Sequence, residues 1–152
     1  MSSKVTVRPA LTSDVGAIVE LMQSFYMEDS YPFSKNQATD LVEQFLASGE
    51  FGRLWVAASE QAVVGYFALT LGFSFEYGGR VAVLDELYVR EDFRGQGLGR
   101  AAIALCEAYC LDQGISALHL EVEAYRTVAA ALYEKSGFKG SGRRPLTKRF
   151  TP

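Results

Sequence analysis

Between an apolar segment ending Leu87-Tyr88-Val89 and a helix-forming run lies Arg94-Gly95-Gln96-Gly97-Leu98-Gly99-Arg100, three alternating glycines with an arginine at either end. Glycines at alternate positions let backbone N–H groups turn toward one point with no side chains in the way. A helix beginning there adds unpaired N–H groups and the positive end of its dipole. Arg94 and Arg100 contribute full charges, and a diphosphate is the group such a cradle fits best. The plainer alternative is a glycine turn that only lets helix and strand pack. Carboxylates stand close by in sequence: Asp85-Glu86 just before the apolar Leu-Tyr-Val, and Glu121 and Glu123 further on.

Three phosphate motifs can be compared with this segment. A Walker loop ends Gly-Lys-Ser/Thr, which the chain lacks. Gly97-Leu98-Gly99-Arg100-Ala101-Ala102 fits the dinucleotide pattern G-x-G-x-x-A, with Glu121 about twenty residues on. In that fold, however, the strand runs almost directly into the first glycine, whereas residues 90–95 intervene here. Arg94-Gly95-Gln96-Gly97-Leu98-Gly99 instead resembles the coenzyme A pyrophosphate signature Q/R-x-x-G-x-G/A of the GNAT acyltransferases. A second stretch agrees: Leu120-Glu121-Val122-Glu123, then Ala129-Ala130-Ala131-Leu132-Tyr133-Glu134-Lys135-Ser136-Gly137-Phe138 is similar to the family's late strand and its A-x-x-L-Y-x-x-x-G-F helix.

The resemblance implies an N-acetyltransferase that moves an acetyl group from acetyl-CoA to a primary amine by direct attack in a ternary complex, with no acyl-enzyme and no metal. It implies that Leu87, Tyr88 and Val89 carry the pantetheine and polarise the acetyl carbonyl, and that residues Arg94, Gly95, Gln96, Gly97, Leu98, Gly99 and Arg100 hold the diphosphate. Arg126 occupies the place, seven residues before the tyrosine, where the family carries an Asn that helps hold the pantetheine arm. Tyr133 matches the tyrosine that protonates the leaving sulfur; ordering the thioester is its other reading. Two carboxylates compete for the base, Glu86 and Glu121, with water alone as a third option and an ammonium anchor or a sheet-edge charge as the plain reading of each. Asp85 faces away from Glu86 unless a bulge intervenes.

An acceptor pocket is expected at an aromatic and acidic cluster formed by Phe25, Tyr26, Glu28, Asp29, Tyr31 and Phe33, joined by Glu76 from a second cluster over residues 73–79. Aromatic rings with carboxylates suit an ammonium group. They suit a homodimer surface equally well. Cys106 and Cys110, one helical turn apart in an apolar run, read as packing residues, and His119 as a strand residue. Two rival functions are a non-catalytic acyl-CoA-binding regulatory module and a protein lysine or N-terminal acetylase.

The elements that must position these groups follow from periodicity. A short strand over residues 4–8, helices opening at Thr12–Asp14 and at Ser34, and strands over residues 53–59, 62–73 and 80–89 precede the cradle. A helix over residues 97–113, a strand over 117–123, a helix over 127–135 and a last strand over 146–150 follow it. Consecutive strands predict antiparallel pairing, and the unit from Val81 to Glu123 predicts one parallel crossover. The expected class is α/β in the mixed sense, a GNAT-like three-layer fold with a central, mostly antiparallel twisted sheet flanked by helices. The 152 residues, 49% hydrophobic and 22% charged, predict one domain spanning 1–152.

The net charge of −3 argues against a nucleic-acid partner. It is uneven: Lys139, Arg143, Arg144, Lys148 and Arg149 face no acid in the last stretch, and all 18 acidic residues lie before it. That imbalance favours an amine over an anion, though solvated edge charges account for the tail as well. No run has the eighteen or so apolar residues of a membrane helix, and no apolar leader opens the chain. A cytoplasmic protein acting on a small-molecule amine, away from membranes, is the expectation.

Overall fold

The computed structural model describes residues 4–151. They group into two compact units, one running to Glu121 and one starting at Val122. The first unit contains β1 (Thr6–Pro9), a 3-10 turn (Thr12–Asp14), α1 (Val15–Glu28), α2 (Lys35–Ala47), β2 (Gly52–Ala58), β3 (Val63–Ser74), β4 (Gly79–Val89), a second 3-10 turn (Glu91–Phe93), α3 (Leu98–Asp112) and β5 (Ala117–Leu120). The strands form one sheet in the order β1-β2-β3-β4-β5. The first three pairings are antiparallel, and β4 with β5 is parallel, as the helical crossover through α3 requires. This is the mixed, mostly antiparallel α/β architecture expected.

Alternation along the strands divides the core into two layers. On one face, Leu54 and Val56 of β2 and Tyr66 and Tyr88 pack against Ile18 and Val19 of α1 and Val42 of α2. On the other, Trp55 stacks on Phe67 at 5.1 Å and meets Tyr109 of α3 edge-on at 5.8 Å. Ala102, Ile103, Cys106 and Cys110 are the buried residues of α3. Burial pushes the Cys106 thiol up to about 12, which suits a packing residue rather than a nucleophile.

Helix entries are set by local chemistry. The Ser34 hydroxyl accepts from the Gln37 N–H at 3.3 Å and caps α2. Buried Asp14 accepts two bonds from the Arg8 guanidinium, at 2.7 and 3.0 Å, and one from the Leu11 N–H at 2.7 Å, tying β1 to the start of α1. These bonds, with Arg8 contributing most, hold the Asp14 carboxyl below its usual range.

Two expectations need correction. Residues 146–150 do not form a strand: Pro145 lacks an N–H, and the charged, exposed Lys148-Arg149 stretch offers no apolar face to bury. β5 also stops at Leu120, so Glu121 follows the strand rather than lying on it. No helix among the described residues is long and apolar enough to cross a membrane.

The second unit contains α4 (Thr127–Lys135). Its end is a Schellman closure: Phe138 N–H donates to Tyr133 C=O and Gly137 N–H to Glu134 C=O, both at 3.0 Å. Gly137 takes φ +94°, the left-handed conformation that such a closure demands. The Phe138 ring rests 6.0 Å from that of Tyr133, the apolar contact that usually accompanies the motif. The Gly-Phe pair thereby fixes the turn of helix that carries Tyr133.

Candidate active site

β4 leads through Glu91–Phe93 to Arg94 and the glycine turn, and α3 begins at Leu98. Gly95 and Gly97 stand at φ +76° and +82°, and a Cβ at either would meet no atom within 4 Å. The glycines are therefore demanded by backbone conformation, and the space in front of them is open. Gly97 caps α3, whose first-turn N–H groups have no acceptor within the helix. Open space, a helix dipole and nearby arginines fit the diphosphate of coenzyme A. The Arg94 guanidinium donates through Nε to Val89 C=O at 2.8 Å and through one terminal nitrogen to Glu28 Oε1 at 2.6 Å. It also lies over the Tyr88 ring, 5.4 Å from its centre.

β4 carries a bulge where the site needs it. Ala68 pairs with Glu86 and Leu69 with Leu84, so Asp85 has no partner on β3 and is the extra residue. Pairing with β5 ends at the same point, with Leu84 opposite Leu120. Beyond it β4 keeps β3 on one side only. Arg90 N–H donates to Val64 C=O at 2.8 Å, so by alternation the Tyr88 peptide faces β3 while those of Leu87 and Val89 face the open edge. An extended thiol-bearing arm can pair with that edge as a strand would.

The bulge also reverses the face to which side chains point, so Asp85 and Glu86 line the same cavity. This cavity, of about 200 Å³, lies between α1, α2 and the sheet. Its walls are mainly Ile18, Met22, Leu41, Val42, Phe45 and Leu54. Its polar groups come from the two carboxylates, Tyr26, Tyr66 and Thr70. Tyr26 donates to Glu86 Oε2 at 2.5 Å and Tyr66 to Oε1 at 2.8 Å.

Burial pushes the Glu86 carboxyl above its ordinary value, the two phenols pull it back, and the Asp85 charge raises it further. Asp85 keeps solvent access, yet lost solvation and then the charge of Glu121 raise its carboxyl too. Both phenols are driven upward, first by burial and then by Glu86, so they remain proton donors. Tyr133, in the second unit, is half-buried, and burial raises its phenol while the Arg126 charge opposes the rise.

A family model described as "Acetyltransferase (GNAT) family" matches residues 17–138. The chain belongs to the GNAT acetyltransferase family. Membership makes it an acyl-CoA-dependent N-acetyltransferase. The uncharacterized N-acetyltransferase YhfO of Bacillus subtilis is 27% identical over 140 residues, 89% of this chain and 90% of that protein. Aminoglycoside N(6')-acetyltransferase type 1 of Stenotrophomonas maltophilia is 25% identical over 146 residues, 94% and 92% of the two chains. N-acetyltransferase 8F1 of Rattus norvegicus is 30% identical over 113 residues, 74% of this chain and 50% of that one, so the chain spans about half of that relative. An integron cassette protein from the mobile metagenome of Cole Harbour Salt Marsh superposes with TM-score 0.86 at 37% identity, covering 96% of this chain and 91% of that one. Aminoglycoside N-acetyltransferase AAC(6')-Iy in complex with CoA shares the fold, with TM-score 0.84, 14% identity and coverage of 99% and 98%.

The GNAT fold brings some of the sequence-selected residues together and separates others. Glu86 and the Leu87–Val89 edge adjoin at the bulge, and Arg94 reaches back to that edge. Phe25 stacks on Tyr88 at 5.3 Å, and Glu28 is engaged by Arg94 and by Tyr88 OH at 3.3 Å. Tyr31 meets Tyr26 edge-on at 6.5 Å. Phe25, Glu28, Asp29, Tyr31 and Glu76 are not among the residues lining the cavity, and Glu76 sits in the turn between β3 and β4. His119 packs edge-on against Tyr77 at 4.7 Å. Tyr26 enters the sequence reading as a member of the aromatic cluster and not as a partner of Glu86, and Tyr66 escapes it. Tyr66 becomes visible only through the β3–β4 register, which sets it opposite Tyr88 and next to Glu86.

Proposed function

We propose that the protein transfers an acetyl group from acetyl-CoA to the amino group of a small cationic amine by direct attack, with Glu86 as the base. The observation that carries this reading is the position of Glu86, held by two phenols inside a cavity and immediately before the open edge of β4. Acetyl-CoA supplies an activated acyl group and a thiol leaving group. Freeing the lone pair of an alkylammonium near pKa 10 costs about 4 kcal/mol at neutral pH. Glu86 takes that proton, and its raised carboxyl is better matched to the task than an ordinary glutamate. Peptide groups of Leu87 and Val89 hold the pantetheine and polarise the acetyl carbonyl. Tyr133 gives its proton to the departing sulfur, and the second proton shed by the acylated nitrogen restores the phenol. Nitrogen gains the acetyl carbon, the carbon–sulfur bond breaks, and the products are an amide and a free thiol.

Both the cytoplasmic setting and a homodimer through the exposed Phe73 and Phe75 belong to this same reading. It is tested by thiol release from acetyl-CoA over a panel of amines, with calorimetry of CoA in parallel. Turnover that disappears in Glu86→Gln while CoA still binds is the expected result. Stoichiometric CoA binding with no turnover of any amine would turn the reading toward a non-catalytic acyl-CoA module.

A further inference from the structure

The cavity that receives the amine has a composition that its charge-based description does not capture. Its volume is about 200 Å³, and its walls away from the carboxylates are Ile18, Met22, Leu41, Val42, Phe45 and Leu54. An apolar cavity of about 150 Å³ takes up benzene, so this one has room for a ring-sized group and a short tail. Its polar groups gather where Asp85, Glu86 and the two phenols meet. A carboxylate offers roughly four acceptor positions. Two on Glu86 are already filled by Tyr26 and Tyr66, and those left, with the ones on Asp85, all lie at this one end of the cavity.

We propose that the acceptor is a primary monoamine carrying a single compact apolar group of about benzene size. This rests on the acetyl-transfer reading above and narrows it. With its ammonium between Asp85 and Glu86, such a molecule lays its body against the aliphatic and Phe45 walls. A polyamine or an aminoglycoside would press a second ammonium against those walls, where the Thr70 hydroxyl alone offsets little of its lost hydration. An amino acid would bring its own carboxylate up to Asp85 and Glu86. The charge at the site selects a cation, and the walls select which cation.

The test uses the full chain with acetyl-CoA and a matched panel: phenethylamine, isoamylamine, spermidine, lysine and a kanamycin-type aminoglycoside. The expected result is a kcat/KM for phenethylamine or isoamylamine at least about tenfold above that of every multiply charged acceptor. Leu41 is exposed at the cavity, so Leu41→Asp keeps the fold and adds charge there. It should lower kcat/KM for phenethylamine several-fold and raise it for spermidine. A second readout needs no chemistry: phenethylamine should raise the melting temperature without acetyl-CoA, and less so in Leu41→Asp.

Turnover led by spermidine, lysine or the aminoglycoside overturns the inference while acetyl transfer stands. Phenethylamine binding with no turnover of any amine supports the cavity assignment and removes the enzymatic reading. Absence of both binding and turnover of phenethylamine overturns the inference.

Discussion

Removing one phenol from the Glu86 carboxylate should move the pH dependence of the reaction by a predictable amount. In Tyr26→Phe the bond to Oε2 at 2.5 Å is lost, and in Tyr66→Phe the bond to Oε1 at 2.8 Å. A hydrogen bond to a charged acceptor contributes about 1.5–3 kcal/mol, and one pKa unit corresponds to about 1.4 kcal/mol. Loss of either phenol therefore raises the carboxyl by about one to two units. Tyr66 is 2% exposed and its bond is the less screened of the two, so its loss lies nearer two units. Tyr26 is only half-buried, and its loss lies near one.

Both phenols lower the Glu86 carboxyl and a base must be ionised to act, so the acid limb of kcat/KM moves to higher pH in each variant. Above the limb, Tyr26→Phe should match or exceed the parent rate, because a carboxylate with fewer donors is the stronger base. The assay is thiol release against pH under kcat/KM conditions. Two unmoved limbs would refute the assignment of Glu86 as base, and a limb that persists in Glu86→Gln would hand the role to Glu121 or to water.

The same carboxyl is raised in the folded state, so its ionisation opposes folding: stability is greatest below an unfolded value near 4 and falls as pH rises through the folded one. Glu86→Gln should thus gain melting temperature relative to the parent at pH 8 and gain none at pH 4, as thermal unfolding at the two pH values will show. At φ +82°, Gly97→Ala should lose about 1–2 kcal/mol of stability through backbone strain alone, since the added Cβ meets no atom. Gly97→Asn tolerates that conformation better, whereas Gly97→Asp should weaken CoA binding far more than Asn by calorimetry, because only Asp adds charge beside the diphosphate. Glu28→Gln breaks an exposed pair worth under about 1 kcal/mol, so unfolding should barely change. Because Glu28 engages Arg94, the variant should shift the KM for acetyl-CoA more than that for the amine. Tyr133→Phe should lower kcat more than it raises the acetyl-CoA KM in the same assay.

Much of this was legible before any coordinates, for local reasons. Helices and strands whose periodicity and caps agree, such as Ser34 with α2, form where expected because each signal acts within one turn or one pair. Gly97 and Gly137 announce left-handed backbone at two helix ends. The failures are non-local. Residues 146–150 look like a strand in composition, but a strand needs a partner and they pair with none. Glu28 reads as an amine anchor until Arg94, 66 residues away in sequence, is seen to bind it. Tyr26, 60 residues from Glu86, can be assigned only once α1 is packed on the sheet.

The bulge at Asp85 shows why the site could not be read strand by strand. Without it, strict alternation would place Asp85 and Glu86 on opposite faces and leave one carboxylate in the cavity. The extra residue resets the alternation, so Val83 and Asp85 before it share a face with Glu86 and Tyr88 after it. The same step falls where β5 stops pairing, so one irregularity both collects two carboxylates and turns the peptide groups of Leu87 and Val89 to an edge without a neighbouring strand, where Arg94 engages the Val89 carbonyl. In the proposed reaction acid–base chemistry and donor binding fall to adjacent residues of one strand, the side chain of Glu86 facing the cavity and the next peptide facing the open edge. The Tyr26 and Tyr66 hydroxyls hold the Glu86 carboxylate in place relative to the backbone of the next residue. That fixed geometry supplies the proximity a bimolecular transfer needs.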